Sequence, residues 1–123
     1  MCLNVWTVRF KTQPSNSPDL NILDLGFFAS LKARVWAMKW QAANVEQLVE
    51  KVTAAFNLYP PETITLIWAQ LYAVYNAVLR QNGGNKYVNP HSGINRRARN
   101  GGNVIDLTID LNEYNRVFDM INE

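Results

Sequence analysis

The stretch Leu3-Asn4-Val5-Trp6-Thr7-Val8-Arg9-Phe10 decides how the rest of the chain is to be read. Val5, Trp6, Val8 and Phe10 favour extended backbone, and Trp6, Val8 and Phe10 alternate with period two, so a strand is expected here. Pro14-Ser15-Asn16-Ser17-Pro18 then breaks the chain into a loop. From about Ile22 a helix is expected, with Asp19 or Asn21 as its cap. Asp24, Phe28, Leu31, Val35 and Met38 recur at helical spacing and share one face. A carboxylate therefore heads an otherwise apolar stripe.

Two further helices are signalled more strongly. Asn44 and Gln47 have capping-box spacing, ahead of an apolar face of Val45, Leu48, Val49, Val52 and Phe56. Pro60 and Pro61 end that helix, and Pro61 suits the first position of the next. Ile64, Ile67, Trp68, Leu71, Val74, Tyr75, Val78 and Leu79 form a broad stripe that stops at Gly83-Gly84. Residues 85–103 read as irregular, Val104 to Ile109 as a possible short strand, and Asn112 as a possible cap for a last helix through Ile121. The expected fold class is α/β: one N-terminal strand, three to four helices, and a sheet that the chain does not complete, since a lone strand leaves backbone groups unpaired.

The chain has 123 residues, 48% of them apolar and 18% charged, within the range of one globular domain. Its net charge of +2 hides a marked asymmetry. Residues 80–100 carry five basic side chains and no acid, whereas the last 23 residues hold five carboxylates against Arg116. The single cysteine, Cys2, excludes an internal disulfide, and Cys2 with His91 is too few ligands for structural zinc. The N-terminal residues lack signal-peptide order, and the uncharged run Thr63 to Leu79 falls short of the ~20 apolar residues of a membrane span. A soluble, intracellular, reduced protein without membrane contact is the expectation.

The stretch Gln13-Pro14-Ser15-Asn16-Ser17-Pro18-Asp19-Leu20-Asn21-Ile22-Leu23-Asp24-Leu25-Gly26-Phe27-Phe28 resembles the segment that holds the third catalytic acid of Tc1/mariner-type transposases, in its plant- and oomycete-like form. Gly83-Gly84-Asn85, Tyr87 and Pro90-His91-Ser92-Gly93 are similar to a later signature of the same branch. Between them the resemblance covers about residues 5 to 100. It implies a partial ribonuclease-H-like fold, with the strand at 3–10 as the last of its sheet, and a nuclear location. It also implies an enzyme that cuts and rejoins transposon-end DNA using two divalent cations, Mg²⁺ or Mn²⁺, held by three carboxylates. Asp24 would be the third of these, a catalytic and metal-ligating residue; hard cations prefer such oxygens, and two metals clamp both oxygens of a phosphodiester exchange. The family's first two acids and its helix-turn-helix region lie upstream of anything matched here. The chain is thus expected to be a single C-terminal part (1–123) of the catalytic domain, inactive alone and without tight metal binding.

Without the resemblance, Asp24 reads as a first-turn acid favoured by the helix dipole. Asp19 reads as a cap or turn residue and His91 as a structural histidine. Trp36, Trp40 and Trp68 read as core or interface aromatics. Within the basic irregular segment 84–103, Lys86, Arg96, Arg97 and Arg99 could contact phosphates and Tyr87 could stack on a base. The alternative is a solvated loop, or one neutralised by the acidic tail 104–123. Three functions follow as expectations: the nucleic-acid-binding C-terminal fragment of a mariner-like transposase, a truncated helical interaction module, or plain DNA or RNA binding through residues 80–100. The second would pair with a transposase chain or with another copy.

Overall fold

A computed structural model describes residues 7–88 and 106–123. Among them there is no strand; the fold is helical. This corrects the α/β, partial ribonuclease-H-like expectation. Residues 7–10 run irregular and exposed, with Phe10 98% exposed. β-propensity supplies no partner, and no neighbouring strand accepts their backbone groups. Residues 3–6 of that expected strand lie outside the described residues. The second expected strand fails too: residues 106–109 form no ladder.

The first helical element is compound. A 3-10 turn, Pro18–Leu20, leads into a π-helical turn, Leu23–Phe27, which continues as α1, Phe28–Ala37. Asn21 starts it by accepting the Leu23 N–H on Oδ1 at 3.0 Å. Helix α2, Val45–Asn57, opens on the expected cap: the Asn44 side chain accepts the Gln47 N–H at 2.9 Å. Gln47 reaches back to the N–H of Ala43, also at 2.9 Å, one residue earlier than an ideal capping box. Helix α3, Pro61–Arg80, has proline in its first turn and ends where Gly83, at φ +86°, donates to the Val78 carbonyl.

Helix α4, Leu111–Asn122, is capped by Asp110 rather than by Asn112. The Asp110 carboxylate accepts the N–H groups of Asn112 and Glu113 at 3.1 and 3.3 Å. The acidic tail is therefore largely a helix, docked on α3 through buried Val117. Arg116 holds it there, donating to the Leu79 carbonyl at the end of α3 at 3.0 Å while pairing with Glu113 at 2.8 Å.

The core is small. Leu25, Leu71 and Val74 form its centre, covered by Leu20, Ile22, Tyr75, Val78 and Tyr87. A second cluster joins α1 to the α2–α3 corner. There Phe27 lies 5.0 Å from the Tyr59 ring, Tyr59 donates to Ser30 Oγ at 2.6 Å, and the Arg34 guanidinium sits 5.0 Å over Tyr59. Helix α2 buries Lys51 and Ala55, whereas its apolar stripe, expected to form core, stays exposed even where Leu48 and Val52 face α1. Val45, Leu48, Val49, Val52 and Phe56 are all exposed.

Candidate functional site

Asp24 occupies the first turn of the π-helical segment and is exposed. Its Oδ2 accepts the Asn21 amide at 3.0 Å, so Asn21 serves both the helix start and the carboxylate. The π-helical turn widens the backbone beside it, a feature that recurs at functional sites. Asp24 offers one hard oxygen ligand. Among the described residues no three carboxylate, imidazole or thiol groups gather where they could share a metal ion. One exposed carboxylate alone does not build a divalent-cation site.

Asp19 does not join Asp24. Its Oδ2 accepts the Tyr87 hydroxyl at 3.0 Å, across 68 residues of chain. The Tyr87 phenol is held above its ordinary value of 10.0, first because burial removes water from it and then because the Asp19 carboxylate accepts its proton and opposes a second negative charge. The ring also packs against the Leu25–Leu71–Val74 core. Tyr87 thereby fastens the chain after α3 to the turn before α1, a role that local spacing did not reveal. Lys86, beside it, is exposed and available to an anion. Arg96, Arg97, Arg99 and His91 lie outside the described residues.

A wide concavity lies elsewhere. The two sequence-defined stripes converge on one open groove of about 850 Å³, with Phe28, Leu31 and Val35 of α1 facing Leu48 and Val52 of α2. Trp36 and Met38 extend its floor, and Lys32, Lys39 and Lys51 are the charged residues of its wall. Lys51 is buried, donating to the Trp40 carbonyl at 2.7 Å and lying 5.3 Å over the Trp40 ring. Trp36, Trp40 and Trp68 are exposed rather than core residues. Sequence periodicity found both stripes; that they face a shared groove depends on how α1 and α2 cross.

No family model, curated protein or solved structure matches the chain. No helix among the described residues is long and apolar enough to cross a membrane.

Proposed function

We propose that this chain is the C-terminal segment of a mariner-like DNA transposase and contributes nucleic-acid binding, while metal-dependent cleavage and strand transfer belong to the parent enzyme. One observation carries this reading. The two stretches that resemble the family, around Asp19–Asp24 and around Gly83–Tyr87, meet in space through the Tyr87–Asp19 hydrogen bond. Two unrelated coincidences of sequence have no reason to be neighbours, whereas two parts of one inherited site do. Asp24 would then serve as one metal ligand of the parent, and Lys86 with Arg96, Arg97 and Arg99 would bind phosphates.

Fluorescence anisotropy with duplex DNA tests the binding. Affinity is expected to fall steeply with salt, and charge reversal at Arg96, Arg97 and Arg99 to weaken it and flatten that slope. A salt-independent signal would remove the electrostatic basis. The chain alone is expected to leave transposon-end DNA intact in Mg²⁺ or Mn²⁺; nicking that disappears in Asp24→Ala would refute the claim that cleavage needs the parent.

The α1–α2 groove favours a second reading, a helical interaction module that joins a transposase chain. Exposed apolar surface of this extent is a recognised mark of a protein interface.

A further inference from the structure

The groove between α1 and α2 is apolar with lysines on its wall, and the chain carries an apolar helical stripe with a carboxylate on one flank. On α4, Leu111, Tyr114, Phe118 and Ile121 recur at intervals of three and four and are 47–73% exposed. Tyr114 and Phe118 stack on each other, their ring centroids 6.1 Å apart, which presents a rigid aromatic ridge. This stripe is not the face that meets α3, since Val117 is the buried residue there.

The charges match as well. The groove wall contains Lys32 and Lys39, both exposed, and no carboxylate. Asp119 lies about 100° around α4 from Phe118, on the side away from Val117, and forms no ion pair among the described residues. The dimensions agree too: Phe28 to Met38 and Leu111 to Ile121 each span ten residue steps, about 15 Å of helix. Within one molecule α4 touches α3 and neither α1 nor α2. A helix so placed can reach the groove of another molecule.

We propose that the α1–α2 groove is the docking site for α4 of a second copy of this chain, with Phe118 and Tyr114 seated between Leu31, Val35, Leu48 and Val52. The groove's exposed lysines, Lys32 and Lys39, then lie toward the flank of α4 that carries Asp119. The mode is helix-in-groove recognition, and it joins two different surfaces. It rests on the interaction-module reading and specifies the occupant; it is independent of DNA binding.

Light scattering on the full chain after size separation tests it. The wild type is expected to exceed its 14.1 kDa monomer mass increasingly with concentration, and less so at high salt. Phe118→Asp and Leu48→Asp both alter exposed positions, and far-ultraviolet dichroism verifies that each keeps its helices. Each variant alone should be monomeric, or at least tenfold weaker in association. An equimolar mixture should recover a heterodimer, because it contains one intact α4 and one intact groove. Association that survives Phe118→Asp overturns the proposal, as does a mixture that recovers nothing. A monomeric wild type that binds a full-length mariner-like transposase through the Leu48 face overturns it while leaving the interaction reading in place. A monomer that binds neither removes both.

Discussion

The hydroxyl of Tyr87 donates to Oδ2 of Asp19 at 3.0 Å, tying the segment after α3 to the turn before α1. Tyr87→Phe keeps the ring against Leu25, Leu71 and Val74 and removes this bond alone. A bond to a charged acceptor contributes about 1.5 to 3 kcal/mol when well buried, and partial exposure here brings that to about 1 kcal/mol. In a chain of this size the melting temperature should drop by roughly 4 °C. Thermal denaturation of Tyr87→Phe beside Asp19→Asn checks it: Asp19→Asn retains an acceptor and should lose less. An unchanged melting point in Tyr87→Phe would show that the bond contributes nothing.

The same pair gives a pH dependence of definite sign. Tyr87 is held above its ordinary value by burial and by Asp19, so the folded state retains the phenolic proton where the unfolded state has begun to release it. Its contribution is fully present below the unfolded value of about 10 and is lost as pH rises through the folded one. The stability difference between wild type and Tyr87→Phe should therefore begin to shrink as pH approaches about 10 and go on shrinking as it rises through the raised folded value. Urea midpoints for both proteins across that range supply the comparison, which cancels the other tyrosines. A constant difference would refute the assignment.

How much of this was legible in the sequence divides along the range of the interaction. The Asn44–Gln47 cap, Pro61 in the first turn of α3 and Gly83 beyond its end were all readable, because each is settled within four residues. The strand expected at 3–10 fails over residues 7–10 for the complementary reason: alternation describes a side of a strand, but pairing needs a partner that no local pattern contains. Helix α2 shows a subtler failure. Its apolar stripe was correctly located, yet periodicity does not say which face meets the rest of the chain, and Lys51 is buried in place of Val52. Asp24 and Tyr87 were singled out separately. Their segments meet only because α3 carries the chain back over the helix start, which no spacing rule encodes.

Asn76 is a polar residue in an apolar helix and makes a link that no local pattern signals. Its amide donates to the Thr108 carbonyl at 3.0 Å and its Oδ1 accepts the Asp110 N–H at 2.8 Å. This side chain acts as a single rung for the segment 106–110, pairing it with a helix instead of a sheet, and it positions Asp110 to cap α4. Asn76→Ala should cost about 1 to 2 kcal/mol, expressed locally. Hydrogen exchange in α4 should then quicken by roughly tenfold, with α2 unaffected. Asn76→Asp keeps the acceptor and should recover part of the loss. Equal acceleration across all helices would mean that α4 is not separately anchored there.

Gln70 places a polar side chain in the small core with its donor unpartnered among the described residues. It is 7% exposed on α3, and its Nε2 is buried with no hydrogen-bond acceptor among the described residues. A buried amide lacking a partner costs about 1 to 3 kcal/mol relative to one left in water. Methionine is unbranched and of similar length, so it can fill the same space beside Gly26 and Ile67 without the unsatisfied donor. Gln70→Met should stabilise the fold by about 1 kcal/mol, visible as a higher urea midpoint at unchanged slope. A lower midpoint would show that the amide has a partner, such as an ordered water in the small cavity lined by Leu25, Ser30, Thr63 and Gln70. The polar residue would then be supporting the turn that carries Asp24, and Gln70→Glu, which keeps an acceptor in place of the donor, would fail to restore the loss.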